Sequence, residues 1–283
     1  MRVIFFGSSR YIIPVLDMLY NNFDLSLVIT TEQNNMDPVP FYCKAKKIPF
    51  IAVRKPEDLI GKYEIESSYA EIAVVADFGI IIPSKTLNYF PLGAVNIHPS
   101  LLPKYRGPTP AQNAILNGET QTGVTIIKLD KYMDHGPVVA QTDEEIKPTD
   151  TAQSLYERLF KLGAKLLQKV IINFENSKVI SVPQNHEHAT FTKMLTKEDG
   201  YIDFVNFFSS KDFFERMVRA YFPWPGAWTR TNISESSKEL KVIKFLPDKK
   251  IQVEGGREMA YKDFINGYPK ANKKLLEFLR LDI

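Results

Sequence analysis

Short runs rich in Val, Ile, Leu and Phe punctuate the first two-thirds of the chain, with helix-like spacing of apolar residues between them. The runs at residues 2–7, 25–30, 49–53, 71–77, 93–98, 123–129 and 137–141 predict strands. Residues 14–20, 41–47 and 109–117 predict helices. The first opens on Pro14, which a first helical turn accepts, and the last is closed by Gly118. A longer helix is predicted over 150–173, where Leu155, Leu159, Phe160, Leu166, Leu167, Val170 and Ile171 recur at helical spacing and Asp150 or Thr149 can cap the start. Such strands with helices between them predict an α/β fold, a Rossmann-like and mostly parallel sheet. Ligands of such sheets bind beyond the carboxyl ends of the strands, where His98, Phe78 and Asp134 are expected.

The pattern changes after a polar, irregular stretch at 184–200. Residues 213–221 read as a helix, but Pro223 and Pro225 forbid its continuation. Short strands follow at 241–246 and 251–254, separated by Asp/Lys and Gly-Gly turns. This predicts a small C-terminal β-barrel of the OB-like kind, a class that often binds oligonucleotides. The expected division is an α/β domain over 1–185, a linker over 186–207 and the barrel over 208–283.

Composition narrows the class. The 283 residues are 44% hydrophobic and 24% charged, as in a soluble globular chain with a sizeable core. Cys43 is the single cysteine, which excludes an internal disulfide and fits a reducing compartment. His186 and His188 have no third ligand type nearby in sequence, so no metal is expected. The apolar start is interrupted by Gly7-Ser8-Ser9-Arg10, which predicts a first strand and not a signal peptide. No run reaches the roughly 18 apolar residues of a membrane span, and the cytoplasm is the expected location. The first turn is not G-x-G-x-x-G, and G-x-x-x-x-G-K-[ST] is absent, so neither a dinucleotide nor a P-loop nucleotide site is supported. Residues 206–283 carry 15 Lys or Arg against 10 Asp or Glu, whereas residues 1–205 carry 21 against 23. A basic C-terminal part suits contact with phosphates.

The candidate chemistry lies in Asn96-Ile97-His98-Pro99. Asn96 and His98 stand at i and i+2 and share one face of a strand that ends at Pro99. An imidazole can move a proton and an amide can hold a developing oxyanion, a pairing suited to acyl transfer. A carboxylate that orients the imidazole would complete the set. Asp134, in the loop after the 123–129 run, is one candidate, and Asp130 competes on the same evidence.

The segment from Asn96 to Gly107, with Gly123-Val124-Thr125 and Asp134-His135-Gly136, resembles the folate-dependent formyltransferase family. The resemblance implies that Asn96, His98 and Asp134 form the catalytic set. It implies that Ser100, Leu101, Leu102 and Pro103 line a folate site and that the backbone at Phe78, Gly79, Ile80 and Ile81 holds the pterin ring. The implied formyl donor is 10-formyltetrahydrofolate, with no metal. Residues 192–203, Arg219-Ala220, 223–229 and 259–269 are similar to the family branch that formylates methionyl initiator tRNA. That branch implies an aminoacylated tRNA partner, a monomer and no membrane association. One departure stands out. Residues 31–40 hold no Lys or Arg, where that branch normally carries a longer basic loop that grips the tRNA acceptor end. A sugar-nucleotide N-formyltransferase shares the catalytic set and is the main alternative. Glycinamide ribonucleotide formyltransferase shares the central motif but lacks a matching C-terminal part. A formyltetrahydrofolate hydrolase and an RNA-binding protein with a vestigial folate pocket are further alternatives.

Overall fold

The structure, a computed structural model, describes residues 1–32, 38–204, 210–234 and 239–280. The chain forms two compact units, one of residues 1–110, 121–145 and 156–193, the other of 111–120, 146–155 and 194–283.

The first unit is built on seven strands: β1 (Arg2–Phe6), β2 (Asp24–Thr31), β3 (Phe50–Val53), β4 (Ile72–Val75), β5 (Ala94–His98), β6 (Gln121–Lys128) and β7 (Val138–Glu145). They form one sheet in the order β3-β2-β1-β4-β5-β6-β7. β1 to β5 run parallel, and β6 and β7 are each antiparallel to the preceding strand. The expected mostly parallel α/β sheet is therefore what forms. All four residues of β4 are buried, as are residues 3–6 of β1, because both sheet faces are covered. The edge strand β7 alternates between half-buried and exposed residues over much of its length. Its helices are α1 (Ile13–Asn22), α2 (Pro38–Lys46), the one-turn α3 (Tyr63–Glu66) and α4 (Ser84–Leu87), and most of α6 (Ala152–Glu175), whereas all but the first residue of α5 (Pro110–Leu116) falls in the second unit.

Two features position the site. Gly163 of α6 lets the helix lie directly under β5 and β6, since a Cβ there would stand 2.8 Å from Ile97 Cγ2 and 3.4 Å from Val124 Cγ1. The reversal at β6 also matters. Lys128, its last residue, pairs with Val95 near the start of β5, so the 129–137 loop leaves from the amino end of β5. Asp134 thus follows no carboxyl end of a parallel strand; the loop folds back along β5 instead. Gly136 packs against the Lys128 carbonyl, where no Cβ fits, and Asp134 adopts φ +50°.

The second unit holds an antiparallel sheet of β8 (Ala227–Thr231), β9 (Lys241–Leu246), β10 (Lys250–Val253) and β11 (Glu258–Ala260), in the order β11-β10-β9-β8. Helices α7 (Lys211–Ala220), α8 (Tyr261–Gly267) and α9 (Lys273–Arg280) complete it. Phe214 of α7 meets Phe245 of β9 at 5.1 Å and Phe278 of α9 at 4.7 Å between ring centroids. Where a barrel was expected, the described residues form four strands sharing one core with helices. Residues 259–269 run from a three-residue strand into α8. Of the 31–40 stretch, residues 33–37 lie outside the described residues.

Candidate active site

Asn96 and His98, on β5, both reach Asp134. Asn96 Nδ2 donates to Asp134 Oδ1 at 3.2 Å, and His98 Nδ1 stands 3.5 Å from the same oxygen. The backbone N–H of Gly107 donates to Asp134 Oδ2 at 2.8 Å. His98 is 4% exposed and Asp134 9%, while Asn96 is half-buried. The other carboxylate considered from sequence, Asp130, is engaged elsewhere. Its Oδ2 accepts from His135 Nδ1 at 2.7 Å and its Oδ1 from the Tyr132 N–H at 2.9 Å.

The tautomer of His98 follows from its partners. Nε2 lies 2.9 Å from the Tyr105 carbonyl, which can only accept, so Nε2 carries the hydrogen. In the neutral ring Nδ1 then holds the lone pair and faces Asp134. A proton taken up there creates an imidazolium against a carboxylate. The Asn96 amide, with one N–H given to Asp134, keeps a second for another acceptor.

The loop after β5 is pinned from β6 and β7. Thr125 Oγ1 donates to the Ser100 carbonyl at 2.6 Å and accepts from the Leu102 N–H at 3.1 Å and from Gln141 Nε2 at 2.8 Å. Gln141 also donates to the Leu102 carbonyl at 3.0 Å. Gly123 makes room for Leu101, whose Cδ2 would lie 2.5 Å from a Cβ there. Ser100 is fully buried and donates to the Lys104 carbonyl at 2.7 Å; Leu102 is buried as well, and Pro103 half-buried. Past β4, Phe78 packs edge-on against Phe6 at 5.5 Å, and Ile80 packs on the same core. Gly79 has open space where a Cβ would stand, and Ile81 is 82% exposed.

Residues to which the sequence reading gave no role in the site complete the cluster. Arg106 is 3% exposed and donates through Nε and Nη2 to Gln184 Oε1 at 3.2 and 2.7 Å. Burial pulls its guanidinium below the ordinary arginine value, against the opposing pull of Asp134 and Asp130. Arg106 Nη2 also donates to His186 Nδ1 at 2.8 Å, and the His186 ring stacks on His135 with centroids 4.0 Å apart. Desolvation, then His135 and Arg106, lower the pKa of His186. Among the described residues no group of three or more His, Cys, Asp or Glu could hold a metal ion.

The sequence profile of a family described as Formyl transferase matches residues 22–171, more than half of the chain. The chain belongs to the formyl transferase family. A methionyl-tRNA formyltransferase of Chloroflexus aurantiacus is 41% identical over 241 residues, covering 81% of this chain and 76% of that protein. One from Koribacter versatilis is 34% identical over a 316-residue alignment that covers 97% of this chain and 98% of that protein. Among solved structures, a 4-N formyltransferase from Francisella tularensis superposes with a TM-score of 0.66 at 21% identity, covering 88% of this chain and 98% of that one. An N-formyltransferase from Helicobacter canadensis, in complex with folinic acid and dTDP-3-aminofucose, gives 0.63 at 19% identity, covering 91% and 98%. At those identities the structural likeness speaks for the fold of this formyl transferase and no further. Among the described residues no helix is long and apolar enough to cross a membrane.

Proposed function

We propose that this chain transfers the formyl group of 10-formyltetrahydrofolate to the α-amino group of methionyl initiator tRNA. The observation that supports this reading most directly is the 34% identity to the Koribacter methionyl-tRNA formyltransferase along nearly the full length of both chains. The formyl donor is inferred from family membership, and the folinic acid in the Helicobacter structure fits that choice. We assign the pterin ring to the backbone of Phe78, Gly79, Ile80 and Ile81. An unhindered glycine and an exposed isoleucine offer a flat heterocycle both edge hydrogen bonds and an apolar surface. Ser100 to Pro103 form the adjoining wall, held in place by Thr125 and Gln141. No metal enters the reading. The enzyme works in the cytoplasm as a monomer, with a catalytic domain over 1–185, a linker over 186–207 and a tRNA-binding domain over 208–283 that is a reduced OB-like barrel.

In this mechanism the uncharged amine attacks the formyl carbon. Asn96 gives its second N–H to the formyl oxygen as negative charge develops there. His98 takes the amine proton on Nδ1, and the resulting imidazolium is paired with Asp134. His98 then delivers that proton to N10 as the bond to the formyl carbon breaks. One C–N bond forms, one breaks, and the proton count balances.

The sugar-nucleotide reading is favoured by one observation, the absence of Lys and Arg from residues 31–40. Offering methionyl-tRNA and amino-sugar nucleotides as acceptors, with 10-formyltetrahydrofolate as donor, separates the two. Formyl transfer to methionyl-tRNA at a kcat/KM at least ~100-fold above the sugar nucleotides is expected, the lower end of what differential binding of two acceptors supplies. The opposite preference would overturn the proposal.

A further inference from the structure

The family profile ends at residue 171, yet the loop that carries Asp134 is held from beyond it, by Gln184. Gln184 is 6% exposed. Its Nε2 donates to the Asp134 carbonyl at 2.9 Å and to the Gly136 carbonyl at 2.7 Å, one on each side of His135. Its Oε1 accepts both Arg106 bonds, at 3.2 and 2.7 Å. The chemistry permits no other orientation of this amide. Arginine only donates and carbonyls only accept, so Oε1 must face Arg106 and Nε2 must face the loop.

The backbone held this way cannot hold itself. Asp134 sits at φ +50°, a conformation that a residue other than glycine enters at a cost and keeps where its surroundings fix it. The loop has come back from the far end of β5, and its carboxylate must meet Asn96, His98 and the Gly107 N–H at once. Arg106 stands between Tyr105, whose carbonyl accepts from His98, and Gly107. Three segments that set the proton-transfer geometry, around 106, 134 and 184, are therefore tied through one amide. A shift of about 1 Å in such a constellation costs on the order of 100-fold in rate.

We infer that Gln184 is a positioning residue for the reaction: its two donors set the Asp134 carboxylate against His98 and Asn96. The inference rests on the proposed catalytic role of Asp134. It follows that the catalytic centre is braced by the irregular stretch after α6. That stretch is laced to the 105–109 loop by Arg106 N–H to the Thr190 carbonyl at 2.8 Å, Thr192 N–H to the Arg106 carbonyl at 2.7 Å and Thr109 N–H to Thr192 Oγ1 at 3.1 Å.

The test is a double-mutant cycle on the full chain under single-turnover conditions. Gln184→Glu keeps the volume and the acceptor for Arg106 but removes both donors to the loop. It is expected to lower the single-turnover rate by roughly 10- to 100-fold with KM for both substrates within about threefold. In an Asp134→Ala background the same change is expected to alter the rate by less than about twofold, because the group it positions is gone. A purely structural role would lower the rate equally in both backgrounds and would overturn the inference. So would a wild-type rate in Gln184→Glu. A wild-type rate in Asp134→Ala alone would instead overturn the catalytic reading beneath it. If circular dichroism shows Gln184→Glu unfolded, Gln184→Met, which removes the same two donors to the loop without adding a charge, carries the same cycle with the same outcomes.

Discussion

Asn96 retains one amide hydrogen after binding Asp134, and His98 retains the Nδ1 lone pair, beside Asp134, after binding Tyr105, so each has an atom to offer the reaction. Replacing either by alanine removes that atom while the strand pairing through backbone persists. Asn96→Ala is expected to lower kcat by about 100- to 1000-fold. His98→Ala is expected to lower it by roughly 100- to 10,000-fold, and Asp134→Ala to act through His98 with a loss in the same range. Steady-state kinetics at saturating substrates check this, and a wild-type kcat in His98→Ala would remove the mechanism. The pairing of Asn96 with His98 was legible in the sequence because i, i+2 on a strand fixes a shared face. Spacing alone left Asp130 and Asp134 open, since the choice depends on which way the 129–137 loop turns, and only the family resemblance pointed to Asp134. Gln184 was illegible for a similar reason: a lone amide in an irregular stretch carries no periodic signal. His186 offers a residue-scale test of its desolvation beside His135 and Arg106. Its lowered pKa means that the folded state releases a proton that the unfolded chain keeps. Stability should therefore rise with pH from the lowered folded value up to the ordinary value near ~6.5. Urea unfolding at several pH values between about 5 and 7 should show a shallower rise in His186→Gln than in the parent. Parallel curves would show that His186 adds nothing to the pH dependence.

At the scale of elements, β5 is fixed from below by α6 and from the side by β6. The strands of the parallel core and α6 were readable within a few residues from their apolar runs. Buried β4 and the apolar face of α6 leave little freedom in assignment. The C-terminal elements were harder. The helices α8 and α9 are short, and the strands of that sheet have three to six residues, so period and length carry less information there. The direction of β6 was equally hidden, because an antiparallel strand buried on both faces has the same composition as a parallel one. Gly163 gives a test of the coupling between α6 and β5. Glycine costs a helix interior about 1 kcal/mol relative to alanine, so its presence needs a packing reason. A Cβ at 2.8 Å from Ile97 Cγ2 supplies one, and Ile97 lies between Asn96 and His98. Gly163→Val is expected to destabilise the protein by about 2 kcal/mol through overpacking, and to lower kcat as well. Denaturant titration and kcat measured together decide it. Unchanged stability would show that α6 can move off β5 freely.

For the whole molecule, the informative quantity is where the charge lies. The chain has a net charge of +3, yet the part after residue 205 carries an excess of five positive charges. Lys244, Lys249, Lys250, Arg257 and Lys262 are exposed, and Lys241 is paired with Glu239 at 2.7 Å. Asp248 and Lys249 both adopt positive φ, at 61° and 54°, in the turn between β9 and β10. That turn therefore presents Lys249 and Lys250 from a tight, well-defined corner. If the tRNA grip lies in this part of the chain, removing one lysine–phosphate pair should flatten the dependence of log affinity on log salt by about one unit of slope. Lys249→Gln combined with Lys250→Gln should then weaken methionyl-tRNA binding at low salt and reduce the slope by about two. The kcat at saturating tRNA should stay unchanged, because these residues are remote in sequence from Asn96, His98 and Asp134 and enter none of their hydrogen bonds. Filter binding or fluorescence anisotropy across about 50 to 200 mM salt measures the slope directly. An unchanged slope would assign these two lysines to solvent and move the search for phosphate-binding residues to Lys244, Arg257 and Lys262.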